Sequence, residues 1–171
     1  MATFDAGTAE CAVFTFKEGM LSAIAHDLEL RVARFTIAVG DDLTIDARFD
    51  AASLTVLHAL RDGRPSDALS PADRRSIERT ILDDVLEARR HPEIRFRAST
   101  VKTADGAALD GALELHGVRR PLRLSARTEG GRRVVETVVH QPDFGIRPYR
   151  AFLGTLRLRA DVRVRVSIPA A

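Results

Sequence analysis

The chain has 171 residues, of which 45% are hydrophobic, and its 26 lysines and arginines against 24 acidic residues leave a formal net charge of +2. This composition fits one folded domain with a sizeable core, and we expect it to span residues 1–171. So small a charge gives no reason to expect a nucleic-acid partner. The apolar runs fall short of the roughly eighteen residues of a membrane-spanning helix, so stable membrane insertion is not expected.

The first residues, MATFDAGTAECAVFTFKEG, lack the basic start and the apolar run of a secretory signal peptide. The single cysteine, Cys11, has no partner for an internal disulfide, as a reducing compartment would require. We therefore expect a cytoplasmic protein whose fold is stabilised by packing alone.

Apolar and polar residues alternate through most of the chain, which predicts β-strands with one buried face. The first strand places on that face Ala12, Phe14 and Phe16. The second, in SAIAHDLELRV, places there Ile24, His26, Leu28, Leu30 and Val32. The apolar set then moves to odd positions, namely Phe35, Ile37 and Val39, followed after a turn by Leu43, Ile45, Ala47 and Phe49. A flat strand cannot change faces, so we predict a bulge or bend at Ala33 and Arg34.

The alternation stops after Val56, and LHALRDGRPSDALSP predicts a loop. An amphipathic helix of about five turns is then predicted over residues 71–90, with Ser70 as its N-cap. Its apolar face consists of Ile77, Ile81, Val85 and Leu86. The polar face mixes both signs of charge, which favours a helix that packs on a sheet or closes a barrel over one that lies on a membrane.

Strands resume after the helix. Their inward residues are predicted to be Ile94, Phe96 and Ala98, then Leu113, Leu115, Leu122, Leu124 and Ala126 around a turn at Gly117. Valines occupy both faces of the next strand, and we favour Val135, Thr137 and Val139 as its inward set. The last strand is predicted as fourteen residues, TLRLRADVRVRVSI. Its arginines, from Arg157 to Arg165, are predicted to face outward and to pair with acids of neighbouring strands. Long strands, about eight in number, with one helix indicate a mainly β protein, an antiparallel eight-stranded lipocalin-like barrel. The interior of such a barrel is either filled by side chains or holds one small ligand.

Several segments resemble the YceI family of lipid and polyisoprenoid-binding proteins. They are HPEIRFRAST from His91, GALELHGVRRPLRL from Gly111, DFG from Asp143 and FDAASL from Phe49. The resemblance implies a lipocalin-like barrel that binds an isoprenoid or similar amphipathic lipid non-covalently as a carrier, store or sensor, with no other cofactor. It also implies a homodimer, since members are often dimers, although well-known members are exported.

The candidate ligand-binding residues come from the inward faces and from the segment IRPYRAFLG, whose aromatic and cationic side chains suit a head group at the barrel rim. They are His26, Phe14, Phe16, Leu28, Phe35, Ile37, Phe96, Arg147, Tyr149 and Phe152. His26 is either a head-group anchor or a core histidine with satisfied hydrogen bonds. The general rarity of functional sites favours a second interpretation of IRPYRAFLG, a solvated loop in which Tyr149 and Phe152 cover the barrel end.

Neither catalysis nor metal binding is expected. His26 and Asp27 are neighbours on a strand and point to opposite faces, so they cannot bind one metal ion together. The remaining histidines are far apart in the sequence, and His116 at the hairpin turn is predicted to satisfy backbone groups of the turn. No arrangement of nucleophile and base emerges. Two alternatives to lipid binding remain: an isomerase or cyclase that acts on a lipid in the same cavity, and a packed scaffold without ligand.

Overall fold

The computed structural model describes residues 1–19, 26–151, 154 and 156–170. Antiparallel strands dominate these residues. The strands are β1 (Ala2–Asp5), β2 (Glu10–Thr15), β3 (Lys17–Glu18), β4 (Asp27–Val32), β5 (Phe35–Val39), β6 (Thr44–Asp50), β7 (Leu54–Arg61), β8 (Arg64–Ser66), β9 (Glu93–Thr103), β10 (Gly106–Leu115), β11 (Val118–Glu129), β12 (Arg132–His140), β13 (Arg150–Ala151), β14 (Leu156–Leu158) and β15 (Asp161–Pro169). The helix α1 (Pro71–Thr80) continues into a π-helical turn (Ile81–Val85).

Twelve of these strands form one curled antiparallel sheet, a half-barrel, in the order β1-β5-β6-β9-β10-β11-β12-β15-β2-β4-β7-β8. Strands β13, β14 and β3 form a separate small sheet. The fold is therefore mainly β with one helix, as predicted, but the predicted number of eight strands is wrong. The difference arises because predicted continuous strands are broken where the sheet bends, and because β1 and β8 add to its edges.

The sheet turns two corners, one at Ala33 and Arg34 between β4 and β5 and one at a 3₁₀ turn, Ala51–Ser53, between β6 and β7. The predicted bend at Ala33 and Arg34 is confirmed. The buried Ser53 joins the corners: its hydroxyl accepts a hydrogen bond from the Arg34 N–H at 2.9 Å, and its carbonyl accepts one from the Ala33 N–H at 3.0 Å. The corners let β4 pair with β7 while β5 pairs with β6.

Strand β7 extends through the region that was expected to be a loop. Glu29 of β4 is opposite His58, and Leu30 is opposite Val56, so Leu57 is an extra residue in a bulge. A bulge reverses the alternation, which is why the sequence pattern stops there. The carboxylate of Glu78 on the helix accepts a hydrogen bond from the Val56 N–H at 2.8 Å, so the helix supports the bulge. Strand β8 then completes a hairpin.

The helix begins as predicted but ends earlier. Ser70 and Asp73 form a reciprocal capping box, in which each side chain accepts a hydrogen bond from the backbone N–H of the other residue. The helical backbone reaches only Val85, not residue 90, because Glu87 has a left-handed φ of 47°. Leu28, Leu30, Val56 and Ala59 pack with Ile77 and Ile81, so the apolar face of the helix lies against β4 and β7.

The predicted fourteen-residue strand is also interrupted, and Arg159 and Ala160 separate β14 from β15. The carbonyls of both residues accept hydrogen bonds from Gln141, from its side-chain amide at 3.2 Å and its backbone N–H at 2.9 Å. On the outer face Arg165 pairs with Glu129 and Glu136, as predicted. Arg157 of β14 pairs with Glu18 of β3.

None of the helical segments among the described residues is both long enough and apolar enough to span a membrane.

Gly111 provides a test of how closely β9 and β10 pack. A Cβ at this position would overlap the main-chain oxygen of Arg97 and lie 2.8 Å from the Cα of Ala98. We expect Gly111→Ala to lower the free energy of unfolding by about 3 kcal/mol, the upper end of overpacking costs. Gly63→Ala, at a left-handed residue with open space around it, should cost only about 1 kcal/mol. Urea unfolding measures both, and equal losses would contradict this account.

Candidate functional site

A cavity of about 470 Å³ lies between the half-barrel and the helix. Its wall is built by cross-strand pairing, because residues opposite each other in adjacent strands share a face of the sheet. One row crosses four strands, from Leu30 of β4 to Val13 of β2, Val164 of β15 and Thr137 of β12. All four side chains line the cavity. The wall is therefore a continuous, mostly aliphatic surface.

The helix forms the opposite wall. Ile77 and Ile81 project from consecutive turns, and the π-helical turn carries the apolar face on to Val85 and Leu86. These four residues are the predicted apolar face of the helix, and the structure directs them into the cavity. The helix thus closes the open side of the curled sheet, as the sequence predicts.

Four of the candidate residues line the cavity: His26, Leu28, Phe96 and Tyr149. The inward residues predicted for the later strands, such as Leu113, Leu122 and Val135, line it as well. These inward residues are therefore directed as predicted, whereas Leu43, also predicted for an apolar face, is 41% exposed in the turn before β6.

The prediction that Phe14 and Phe16 point inward is wrong. Strand β2 directs its odd residues, Cys11, Val13 and Thr15, into the cavity, while Phe14 is opposite Glu29 and Arg163 on the outer face. The Arg163 guanidinium lies 4.6 Å from the centre of the Phe14 ring, and the Arg159 guanidinium lies 5.8 Å from that of Phe16. Stacked arginines shield both rings from water, so these aromatic residues are stable outside the core.

Phe35 and Ile37 are buried, but neither lines the cavity. They lie in β5, beyond the corner, where Ile37 is opposite Phe4 and Ala47 and the Phe35 ring packs on Phe49 at 5.7 Å. Both are therefore residues of a packed core. Phe35 also borders a wide, open depression of about 810 Å³ whose rim is charged, and such a depression cannot enclose an apolar ligand.

Arg147, predicted for the barrel rim, does not line the described cavity. Arg147 is exposed and is not part of the cavity wall. Phe152 lies outside the described residues, as does Ile24 of the second predicted strand. Arg157, one of the arginines predicted to face outward, borders the cavity, and half of its side chain is exposed where it pairs with Glu18.

Polar side chains gather where the small sheet meets the half-barrel. Tyr149 and Arg157 line the cavity there, and the Tyr149 carbonyl accepts a hydrogen bond from the Leu158 N–H at 3.0 Å. His26 adjoins Asp27, whose carboxylate accepts a hydrogen bond from the Lys17 N–H at 2.8 Å. The cavity is therefore apolar along its length and has a cation, a phenol and an imidazole at one end.

Cys11 is 4% exposed and lines the apolar part of the cavity. Burial raises the pKa of the Cys11 thiol to about 12, although the positive charge of Arg31 acts in the opposite direction. At neutral pH the side chain is a neutral thiol, and thiols react as thiolates. Cys11 is therefore part of the apolar wall and not a nucleophile.

We expect Cys11 in the native protein to react with iodoacetamide at least a hundredfold more slowly than in guanidinium chloride at the same pH. The reason is that burial suppresses both access and ionisation. Intact-mass measurement over time gives both rates. Complete labelling of the native protein at the rate of the denatured protein would contradict the buried position of the thiol.

The fold is similar to that of several solved structures. Burkholderia cenocepacia BcnA has a TM-score of 0.64 at 13% identity, over 98% of this chain and 99% of that one. A polyisoprenoid binding domain from Saccharophagus degradans, implicated in plant cell wall breakdown, has a TM-score of 0.61 at 13% identity, over 95% and 94%. The YCEI protein of Campylobacter jejuni has a TM-score of 0.52 at 14% identity, over 70% and 71%.

At these identities the structural likeness shows the fold alone, and a comparison with curated proteins gave no significant match. The sequence itself is more informative. It matches the model of the YceI-like domain over residues 4–170, almost the whole chain. The chain therefore belongs to the YceI-like domain family.

Proposed function

We propose that this chain is a single domain that binds an isoprenoid or similar amphipathic lipid non-covalently, with the tail in the cavity, as a carrier, store or sensor. The observation that carries the proposal is the cavity of about 470 Å³ between the half-barrel and the helix. Small-molecule sites range over roughly 300–1,000 Å³ and are mostly apolar with few polar groups. A hollow of this size also argues against a packed scaffold without ligand.

The tail would be held by burial of its surface. Transfer of each methylene from water to an apolar wall contributes about 0.8 kcal/mol, so a few isoprene units give substantial affinity without directional contacts. The row from Leu30 to Thr137 and the helix residues Ile77 and Ile81 would provide that wall.

The head group would lie at the polar end of the cavity. Arg157 lines the cavity and also pairs with Glu18 through its Nε at 2.9 Å. A guanidinium has five N–H donors, so Arg157 can keep this pair and still donate to a phosphate. The Tyr149 hydroxyl and the His26 ring are further donors at the cavity wall. An anionic head group matches this set.

The name of the Saccharophagus degradans domain supports a polyisoprenoid ligand for this fold. The residues of the cavity wall favour binding of a lipid over catalysis of a reaction on it. The Cys11 thiol is kept neutral, and most of the wall consists of aliphatic side chains. An isomerase or cyclase would instead need a paired acid and base facing the lipid.

Filling the cavity tests where the tail binds. Thr137 lines the cavity, whereas its neighbour Val138 is 57% exposed on the outer face. We expect Thr137→Phe to weaken the binding of farnesol, a short isoprenoid alcohol, at least tenfold, because the new ring occupies the space of the tail. Val138→Phe adds a similar volume outside and should leave the affinity unchanged.

Isothermal titration calorimetry gives the affinities, and circular dichroism checks that both variants fold. Equal affinity of the two folded variants for farnesol would contradict a tail in this cavity. Native mass spectrometry of the purified protein complements the titration by detecting a lipid that co-purifies.

The head-group assignment is tested by comparing farnesyl phosphate with farnesol. We expect the wild type to prefer the phosphate, and Arg157→Gln to reduce that preference about tenfold by removing a charge-assisted hydrogen bond. Arg147→Gln is the matched control, since Arg147 is exposed and lies off the cavity wall. A larger loss with Arg147→Gln would place the head group elsewhere.

A further inference from the structure

Three metal-binding side chains meet outside the cavity. Glu87 follows the π-helical turn, His91 lies four residues later, and His116 lies in the turn between β10 and β11. Each offers one ligand atom, and these atoms all lie within 4.8 Å of one another. We propose that Glu87, His91 and His116 form a binding site for a single zinc ion.

A tight turn places the first two ligands on the same side of the chain. The Glu87 carbonyl accepts hydrogen bonds from the backbone N–H of Arg90 at 2.9 Å and of His91 at 3.0 Å. Residues four apart in such a turn project in the same direction, as they do in a helix. The Arg90 guanidinium binds Oε1 of Glu87 at 2.9 Å, which leaves the other carboxylate oxygen, Oε2, for the site.

The ring of His116 is oriented by a second hydrogen bond. Its Nδ1 lies 3.2 Å from the carbonyl oxygen of Phe144, which can only accept, so Nδ1 carries the proton. Its Nε2 donates a hydrogen bond to Oε2 of Glu87, 2.8 Å away, and zinc would take the place of the proton in this bond. A histidine whose second nitrogen donates to a carbonyl is the usual arrangement in metal sites, where this bond fixes the tautomer and the direction of the ligand.

Gly117 gives His91 room beside His116. The two imidazole rings are 4.4 Å apart, centre to centre. A Cβ at Gly117 would lie 3.0 Å from Cε1 and 3.1 Å from Nδ1 of His91. Gly117 is also left-handed, with a φ of 74°. A larger residue would push the His91 ring away from the other two ligands.

The ligand set identifies the class of metal. Two histidines and one glutamate are a known zinc set, with a water molecule as the fourth ligand. Tetrahedral zinc at about 2.0–2.1 Å from each donor holds its ligands about 3.3 Å apart, so the observed spacing needs only small side-chain rotations. Imidazole ligands also disfavour magnesium and calcium, which take oxygen ligands.

The zinc ion would join two parts of the chain that both border the cavity. Leu86, beside Glu87, and Leu115, beside His116, line it. A metal bridge between these positions would fasten the end of the helical segment to the β10–β11 turn. The bridge would therefore stabilise the wall that closes the cavity without contacting a bound lipid.

Calorimetric titration of tag-free protein, dialysed against a chelator, with zinc chloride tests the site. We expect one equivalent of zinc to bind, and His91→Ala and Glu87→Gln each to weaken binding at least tenfold. Glu87→Gln nearly preserves the side-chain volume, so it separates the loss of a ligand from the loss of packing. His140→Ala is the control, because His140 forms an exposed pair with Asp161, Nδ1 to Oδ1 at 2.6 Å.

Thermal unfolding with and without zinc gives a second measurement, since a ligand of the native state raises the unfolding temperature. We expect the increase in the wild type and in His140→Ala, and not in His91→Ala. The proposal is overturned by the lack of stoichiometric binding in the wild type. It is also overturned by unchanged affinity in both ligand variants, or by an equal loss with His140→Ala.

Discussion

The structure depends on how the chain turns two corners at the same place. Successive side chains of a strand face opposite sides, so a sheet that curls must break its strands where the inward set changes. Ser53 holds both breaks together. Its hydroxyl accepts from the Arg34 N–H and donates to the Asp50 carbonyl at 2.8 Å, and it is almost fully buried. A buried polar side chain with these partners fixes the two corners relative to each other.

The corners divide the apolar residues into two groups with different tasks. Before the corner, Leu28 and Leu30 of β4 pack with the helix and also line the cavity beside it. Beyond it, Phe35 and Ile37 of β5 pack against β6 and β1 and leave no cavity between them. The same alternating pattern thus produces a hollow in one half of the sheet and a filled core in the other.

The sequence predicts well wherever one face of a strand is clearly apolar. The bend at Ala33, the N-cap at Ser70 and the hairpin turn at Gly117 all follow from local patterns. In β2 both faces are apolar, with Cys11 and Val13 on one and Phe14 and Phe16 on the other, so alternation alone cannot decide which is inside. Arg159 and Arg163, which are far from β2 in the sequence but next to it in the fold, stack on the phenylalanines on the outer face.

Other features depend on contacts that no local pattern contains. The bulge at Leu57 is defined by the pairing of β7 with β4, where the register shifts. In a single sequence, one inserted residue ends the alternation and therefore resembles the end of a strand. The alternation places Arg157 in an outward row of arginines. The interruption of the strand at Arg159 and Ala160 places it at the cavity wall. Glu87, His91 and His116 come from two separate segments, and the Glu-x-x-x-His spacing is the one local sign of their meeting.

The two edge strands of the large sheet, β1 and β8, determine how readily one molecule associates with another through its sheet edges. A sheet that does not close leaves unpaired N–H and C=O groups along its outer strands, and these can recruit a strand from another molecule. Here β1 has four residues and β8 has three, and Pro65 in β8 has no N–H to donate. Such short edges are poor templates for strand addition, so the open sheet carries little risk of growing into a fibril.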